Sequence, residues 1–519
     1  ATAIYGARAA NGVVLITTKR GKSGLKLNYS GSYTAQYIDK PFEVYDATNY
    51  MIQTNQILRE RWLREKKLYP YGTTDPSTVP AFSGQRFTQD QIDNAGKGTN
   101  WWNQIMRPGN VQNHNVSITF GNEKMRSYVS LGLYNNKGVV QGSAIERISS
   151  KINLDYTINK YLQAGLSYMG AIINNNNVQM GEGEWGDSNM IMSALLYDPS
   201  VPIKDEDGNY SEMSWYANLP NPVSYQEVSD KTKQTRNLSN FYLQIEPVKN
   251  MQIKSSIGYD GQSSVRETYF PKVFLLGKNK DGQASIGQAS REDMLFNTVA
   301  TYTFDVETKH KVVLMAGYEY QQFNANGHSL GASDFFTDAF LYNNIGVANQ
   351  EKYAIGSYRN REVLASYFGR MNYNFLERYL LTLNLRYDGS DKFGKNNKWG
   401  FFPSASVGWR LSEEKFMKGF EQLSNLKVRI SYGQTGNSSI GSNAFAFYDP
   451  SSNRFAFDSS PVTGVELSQI ENNDLKWETT TELNLGLDFG FFNSRISGSF
   501  EFFNKTISDL LGSRDLRSW

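Results

Sequence analysis

Hydrophobic and polar residues alternate along most of this chain. In residues 25–37 the odd-numbered positions hold Leu, Tyr, Ala or Gly, whereas the even-numbered positions hold Lys, Asn, Ser, Thr or Gln. The same two-residue period recurs in 152–158, 251–260, 381–388 and 483–489. Because successive side chains of a strand point to opposite faces, each segment is predicted to be a strand with one apolar and one polar face.

The length of these segments separates two kinds of β-protein. We identify about fifteen of them, most with about 9 to 14 residues, whereas strands of soluble proteins average about 5–6. A strand that crosses a bilayer needs about 9–11 residues when it is tilted. The segment lengths therefore favour a membrane barrel over a soluble β-sandwich.

The connections between the segments alternate between short and long. Short turns are predicted near 121–124, 159–161, 249–250, 306–310, 376–379, 414–425 and 492–494. Long loops are predicted near 38–110, 136–148, 174–234, 265–289, 325–360, 392–399 and 438–474. Short turns on one rim and long loops on the other are typical of outer-membrane barrels. We therefore predict an all-β fold, a transmembrane up-and-down antiparallel β-barrel with its short turns in the periplasm.

Aromatic residues make up 14% of the chain, with 9 Trp, 32 Tyr and 30 Phe. Many lie near the ends of the predicted strands, where rings at headgroup depth form girdles in membrane barrels. Ordinary cross-strand packing is the alternative explanation. In the first long loop, Asp46 is a predicted N-cap of a helix that runs to about Lys67.

Composition removes several classes of function. With 53 Lys and Arg against 51 Asp and Glu, the net charge of +2 gives no reason to expect nucleic acid as a partner. Cysteine is absent and the three histidines, His114, His310 and His328, are scattered. We find no catalytic, cofactor or metal motif and expect a protein that is not an enzyme. Asp205 and Asp207 lie in a predicted polar hairpin tip, and the alternative of a cation site stays open.

Large aromatic residues in the long loops are the remaining candidates for binding. Flat rings in a polar pocket stack on sugars or on apolar peptide side chains, and large exposed rings are costly in water. Loop-to-loop packing is the alternative for each of them. The candidate substrate-binding residues are Trp101, Trp102, Trp185, Trp215 and Tyr216.

Several segments carry a specific resemblance. Residues 1–21 resemble the closing segment of the plug domain in SusC/RagA-type TonB-dependent outer-membrane transporters. Residues 101–117 are similar to that family's entry into the second barrel strand, and 386–404 are similar to its mid-barrel signature. Residues 431–437 and 475–480 match further family segments. The matches keep their order over the whole chain.

The resemblance implies an architecture. We expect the end of a plug domain at 1–24 and barrel strands 1 to about 15, with long extracellular loops, at 25–519. The intact barrel of this family has 22 strands, so about seven strands are expected to be missing from an internal fragment. The signal peptide, the TonB box and most of the plug are expected to lie outside this segment.

The resemblance also implies a function and partners. Family members import oligosaccharides or peptides across the outer membrane, under a SusD-like surface lipoprotein. TonB, with ExbB and ExbD, pulls on the plug, and SusC/SusD-type pairs can form dimers. No cofactor is implied. The alternative is a passive plugged channel, or a surface nutrient-binding barrel without TonB energisation.

Overall fold

A computed structural model describes residues 4, 6, 13, 19–21, 23–39, 42–181, 189–307, 309–439, 444–449, 454–457 and 460–512. One large antiparallel sheet contains fifteen strands. They are β1 Lys26–Gln36, β2 Gly109–Gly121, β3 Met125–Lys137, β4 Ala144–Asn159, β5 Leu162–Asn176, β6 Ser229–Val248, β7 Met251–Phe270, β8 Gln283–Val306, β9 His310–Ser333, β10 Ala354–Phe375, β11 Tyr379–Ser390, β12 Trp399–Arg410, β13 Leu423–Asn437, β18 Glu478–Phe491 and β19 Ile496–Ser508.

The sheet follows the order of the chain. Each strand pairs with the next, β13 pairs with β18, and the edge strands are β1 and β19. Two small hairpins lie between β13 and β18. Their strands are β14 Phe447–Asp449, β15 Arg454–Phe457, β16 Ser460–Thr463 and β17 Glu466–Gln469. This topology confirms the predicted up-and-down fold, and fifteen strands agree with the predicted number.

The helices lie in the connections, and all of them except the 19-residue α1 are short. The α-helices are α1 Ala47–Glu65, α2 Gln89–Asn94, α3 Trp101–Ile105, α4 Met190–Leu196 and α5 Leu275–Lys278. Turns of 3-10 helix occupy Pro76–Thr78, Pro222–Glu227, Ile345–Val347, Gln350–Lys352, Leu411–Glu413 and Lys415–Met417. The predicted cap of α1 is present, because the Asp46 side chain accepts a 2.8 Å hydrogen bond from the Asn49 amide. No helix in the described part of the chain is long and apolar enough to cross a membrane.

Five central strands are longer than predicted. β6 and β7 have 20 residues, β8 and β9 have 24, and β10 has 22. The additional residues lie at the long-loop end, where both faces are largely polar. Alternation stops there while the hydrogen-bonded ladder continues, so the predicted loops 174–234, 265–289 and 325–360 were drawn too long, and the loop 136–148 between β3 and β4 was also drawn too long.

The two faces of the sheet have different neighbours. On β11, Arg386 is 5% exposed and its Nη1 donates to the carbonyl oxygen of Ile4 at 2.7 Å, so this side is the inner face. The alternate residues Leu383 and Leu385 are 37% and 54% exposed on the outer face. Along β12 the outer face carries Phe401, 57% exposed, in the same way. An exposed apolar outer face is what contact with lipid requires.

Aromatic side chains of the outer face gather at two levels. The upper ring, at the long-loop end, consists of Tyr318, Tyr367, Tyr387 and Trp399. The lower ring, at the short-turn end, consists of His310, Phe375, Tyr379 and Trp409. From Trp399 to Trp409 the strand covers about 33 Å, or about 25 Å of height at a tilt of about 40°. That height matches the apolar band of an outer-membrane barrel.

Besides a small cluster of Met51, Phe87 and Ile92 in the first long loop, three hydrophobic clusters of the described residues pack at the long-loop end. The loop core consists of Trp101, Ile105, Met190, Ala194, Tyr197, Met213, Leu219, Tyr225 and Phe274. The wall cluster on the inner face consists of Leu364, Phe393, Phe402 and Trp477. The outer loop cluster consists of Tyr269, Ala284, Ala332, Phe335, Tyr342 and Ala348. The first two clusters frame the inner surface of the sheet.

Candidate functional site

The N-terminal segment is held against the inner face near the short-turn end. Asn153, 1% exposed on β4, donates from Nδ2 to the Lys19 carbonyl oxygen at 2.7 Å. Ser167 donates to Asn153 Oδ1 at 2.7 Å and fixes the orientation of that amide. Asp155, two residues further along β4, forms an ion pair with Arg20, with 3.0 Å between Asp155 Oδ1 and Arg20 Nη1. Backbone and side-chain contacts together fix the point at which the segment leaves the inner face.

A second contact holds the segment at Ile4. The buried Arg386 guanidinium donates to the Ile4 carbonyl, and its Nε donates to Asp388 Oδ1 at 2.7 Å. Its Nη2 donates to Ser366 Oγ at 2.9 Å and lies 3.4 Å from Glu319 Oε1. An arginine whose donors are directed by three wall residues is a preorganised clamp for a backbone carbonyl. β9, β10 and β11 therefore hold the N-terminal segment jointly.

Between the loop core and the wall cluster, the inner face carries a row of ion pairs. The pairs are Arg236 with Asp260 at 2.7 Å, Arg291 with Asp293 at 2.9 Å and Lys392 with Glu362 at 3.1 Å. Side-chain exposure is 49% for Arg236 and 55% for Arg291, so both guanidiniums retain free surface. The row offers donors and acceptors side by side. We call this surface, with Phe323 and Tyr358, the lumenal bay.

Aromatic rings stand within the bay. The Arg291 guanidinium lies 5.8 Å from the centre of the Phe323 ring. Tyr358 is 50% exposed and lies over Gly327, where a Cβ atom would come within 2.6 Å of the ring. Because residue 327 is glycine, the Tyr358 ring can lie flat against the inner wall, and the side of the ring that faces away from the wall stays accessible. A flat ring beside paired charges can stack on a sugar or an apolar side chain while the charges bind polar groups.

Two of the predicted aromatic residues are buried. Trp101 is 2% exposed, donates from Nε1 to the Asp198 carbonyl oxygen at 2.9 Å and meets the Tyr197 ring edge-on at 4.8 Å. Trp102 is 6% exposed and packs edge-on against Phe42 at 5.4 Å. In this arrangement both indoles serve loop-to-loop packing, the alternative given for each residue.

The other predicted aromatic residues are more accessible. Trp215 is 38% exposed, lies 6.1 Å from the Phe87 ring and carries the Arg86 guanidinium 4.9 Å above its own ring. Tyr216 is half-buried and packs against the loop core. Trp185 lies outside the described residues. A role in substrate binding stays a prediction for all five residues, and Trp215 has the most accessible surface among those described.

Two buried carboxyl groups at the loop end of the sheet have opposite surroundings. Asp230 accepts from Arg266 at 2.6 and 3.0 Å and from the amides of Asn177 and Gln179. Burial acts to raise the pKa of Asp230, but these donors outweigh it and hold the pKa below its ordinary value. Asp198 is fully buried, and burial raises its pKa against the hydrogen bonds from Ser200, which act to lower it. Among the described residues, Asp198 Oδ2 has no hydrogen-bond partner.

The acidic tip at Asp205 is a hairpin. Asp205 Oδ1 accepts from the backbone amides of Asp207 and Asn209 at 3.1 and 2.8 Å. Nearby, burial and then the hydrogen bond to Glu227 raise the pKa of Tyr210 to about 12. Within the described residues, no group of three or more His, Asp or Glu side chains is arranged to hold a metal ion.

A sheet with a lipid-compatible outer face, two aromatic rings and an inner segment clamped to its wall defines an outer-membrane β-barrel of the receptor class. The model of the family "TonB dependent receptor-like, beta-barrel" matches residues 193–518. The chain therefore belongs to this family of outer-membrane proteins. Within the family it is of the SusC/RagA type, as the sequence motifs predicted.

Similar proteins agree with this assignment. TonB-dependent receptor P3 of Formosa agariphila is 30% identical over 523 residues, covering 99% of this chain and 49% of the relative. TonB-dependent receptor SusC of Bacteroides thetaiotaomicron is 29% identical over 552 residues, covering 99% and 50%. The structure of the RagAB peptide transporter shares the fold, with a TM-score of 0.77, 22% identity, and coverage of 98% of this chain and 57% of that chain. The chain spans about half the length of the curated relatives it matches.

Sequence reasoning missed the lumenal bay and the Arg386 clamp. Both use polar positions of the alternating pattern, which also supply every other polar residue of the inner face. Arg386 and Ile4 are 382 positions apart, so no local pattern connects them. A signal was available in the segment 386–404, whose resemblance to a family motif marked the strand that carries the clamp.

Proposed function

We propose that this chain supplies the end of a plug, residues 1–24, and most of the barrel of a TonB-dependent importer, residues 25–519. The observation that carries the proposal is the clamping of the N-terminal segment to the inner wall at Ile4 and at Lys19–Arg20. In this proposal the plug, of which this segment is the end, closes the lumen, so passage requires that the contacts at Ile4 and at Lys19–Arg20 give way. No chemistry at this chain provides the energy, and TonB with ExbB and ExbD supplies it from the inner membrane.

The cargo in this proposal is an oligosaccharide or a peptide that enters from the long-loop side. The lumenal bay supports either class, because paired carboxylates and guanidiniums bind hydroxyls as well as peptide groups. Tyr358 provides the stacking surface on the wall, and Trp215 provides one in the loops. A SusD-like surface lipoprotein covers the mouth and delivers the cargo, and two such pairs form a dimer.

The names of the relatives support a role in transport. Two are named TonB-dependent receptors, and the structural neighbour is named a peptide transporter. None is named as an enzyme, which agrees with the expected absence of catalysis.

Uptake by cells that carry the intact receptor tests the proposal. The ligand that co-purifies with the receptor is identified by mass spectrometry, labelled, and offered to cells with and without TonB. We expect accumulation to stop without TonB while binding at the surface persists. Accumulation at an unchanged rate without TonB would contradict energised import and favour a passive channel. Surface binding with no uptake in either strain would favour a binding barrel.

A further inference from the structure

One carboxylate oxygen in the loop between β5 and β6 is buried without a partner. Asp198 is fully buried, and its Oδ1 accepts a 2.7 Å hydrogen bond from the Ser200 amide. Among the described residues, Oδ2 accepts none. Burial raises the pKa of Asp198, while Ser200 and the charge of Arg86 act to lower it. An unpaired buried carboxylate is costly, and such groups are candidates for a functional role.

Arg86, in the loop between β1 and β2, is a cation without an anion. Its side chain is exposed, and its guanidinium lies 4.9 Å from the centre of the Trp215 ring. The ion pairs formed by described residues do not include Arg86. Its charge acts on Asp198 and also on Tyr50, where burial and then the charge of Asp198 raise the pKa. An unpaired guanidinium and an unpaired carboxylate oxygen therefore lie in one cluster.

The backbone that carries Arg86 is fixed. Asn55 Oδ1 accepts hydrogen bonds from the backbone amides of Arg86 and Phe87 at 2.9 and 3.1 Å. The Phe87 ring packs edge-on against Trp215 at 6.1 Å and against Tyr50 at 6.4 Å. Tyr50 is also hydrogen-bonded to Trp215. With its surroundings held in this way, the part of Arg86 that can change partner is the long side chain.

Two arrangements of the Arg86 side chain compete. Over the Trp215 ring, the guanidinium keeps its contact with water and gains a cation–π contact, which is weak at exposed sites. At Asp198 it gains a charge-assisted hydrogen bond in a buried site but loses its water. Because gain and cost oppose each other, neither arrangement is strongly favoured while the ring is free. A group that covers the ring removes the first arrangement and shifts Arg86 to the second.

We propose that Arg86 is a gate on the Trp215 stacking site, which an uncharged flat group of the cargo opens by displacing the guanidinium to Asp198. A sugar ring and an aromatic side chain both present such a group. An anionic group binds Arg86 where it stands and leaves the ring covered. The inference rests on the proposed role of the loops in receiving cargo. It makes Arg86 and Asp198 the residues that decide which cargo groups bind at Trp215.

A double-mutant cycle on the intact, ligand-free receptor tests the gate. Arg86→Gln and Asp198→Asn are combined at pH 8, first with Trp215 present and then in Trp215→Ala, and hydrogen exchange of the α4 amides is measured. With Trp215 present, Asp198→Asn should raise protection equally with and without Arg86→Gln. In Trp215→Ala, Arg86 pairs with Asp198, so Asp198→Asn should lower protection by about tenfold, and only when Arg86 is present.

The same loop offers a matched control. The Arg64 guanidinium lies 5.2 Å from the centre of the Tyr71 ring, so Arg64→Gln also removes an arginine from an aromatic face. It should show no coupling to Asp198 in either background. Absence of coupling between Arg86 and Asp198 in Trp215→Ala, or equal coupling in both backgrounds, would overturn the gate. The cycle uses no cargo, so its outcome and the TonB dependence of uptake can fail separately.

Two uncharged probes identify the group that opens the gate. Methyl β-glucoside and N-acetylphenylalanine amide are titrated into receptor labelled with fluorotryptophan, in which the Trp215 fluorine signal is assigned from Trp215→Ala. The probe that shifts this signal identifies the ring as a sugar or an aromatic group. Its affinity should fall by about tenfold in Asp198→Asn, where the displaced guanidinium has no partner, but not when Arg86→Gln is also present. Equal affinity for the unmodified receptor and Asp198→Asn would overturn the gate, and no shift with either probe would overturn the stacking site.

Discussion

Truncation of Trp101 separates a packing role from a binding role in the loops. Trp101 is 2% exposed at the centre of the loop core, and its indole N–H bonds to the Asp198 carbonyl. Trp101→Ala removes the burial of a large aromatic side chain, which costs about 3–5 kcal/mol in a core that does not collapse. The lost hydrogen bond contributes about 0.5–1.5 kcal/mol of this, because the Asp198 carbonyl still accepts from the Val201 amide at 3.3 Å. Trp215→Ala removes a ring that is 38% exposed and should cost much less.

Hydrogen exchange measures the difference directly. In Trp101→Ala, amides of α3 and α4 should lose protection by roughly two to three and a half powers of ten, the equivalent of about 3–5 kcal/mol. Trp215→Ala should keep that protection and lose affinity for the co-purified ligand. The reasoning would be refuted if Trp101→Ala kept full protection of α3 and α4 while losing ligand binding. Trp101 would then contact the cargo, and the loop core would not depend on it.

Three further predictions concern the buried carboxyls and the lumenal bay. Arg266→Gln leaves the Asp230 carboxylate without its charged partner and should destabilise the base of the loops by about 1–3 kcal/mol at pH 7. Because the folded-state pKa of Asp230 is lowered, its contribution is present above the ordinary pKa and is lost as the pH falls through the folded value. The difference in loop proteolysis between variant and unmodified protein should therefore be full at pH 7 and should shrink as the pH falls below the ordinary pKa; a difference that did not change with pH would contradict this reasoning. The pKa of Asp198 is raised, so the stability that this residue contributes is present below the ordinary pKa and is lost as the pH rises through the folded value. Asp198→Asn, which cannot ionise, should therefore stabilise the loops at pH 8 by about 1–3 kcal/mol. A gain in stability that persisted at pH 3 would count against burial of the charge as the cause. Tyr358→Ala should weaken retention of the co-purified ligand by about tenfold without changing the unfolding temperature, since the ring is half exposed. Equal recovery of the ligand from the variant and the unmodified receptor would show that Tyr358 does not bind the cargo.

The sequence predicts the membrane-facing part of the fold well because one physical cause controls it. Lipid on one side and the N-terminal segment or water on the other impose the period of two that is visible at residues 381–388. The cap at Asp46 is equally local and was confirmed. The upper halves of β8 and β9 were missed because largely polar residues lie on both of their faces, so the period of two disappears there. Their pairing depends on hydrogen bonds between strands, which leave no trace in hydropathy.

The functional surfaces are less predictable because they depend on distant contacts. A tryptophan in a loop is visible in the sequence, but its burial depends on which distant segment packs over it. For Trp101 that segment is the one that contains Asp198, whose carbonyl accepts the indole N–H. The inward direction of Arg291 follows from parity only once the strand is known to extend that far. Candidate residues could therefore be recognised in the sequence more reliably than the contacts that surround them in the structure.

The central claim is that alternate residues of one strand meet lipid and the lumen. The chain has no native cysteine, so single cysteines at positions 381 to 385 of β11 can carry a nitroxide label one at a time. Collision with oxygen, which concentrates in the bilayer, and with a water-soluble nickel complex reports the environment of each label. The account predicts high oxygen accessibility at Leu381, Leu383 and Leu385 and low values at Thr382 and Asn384. Uniform accessibility along the strand, or oxygen contact at the even positions, would contradict it.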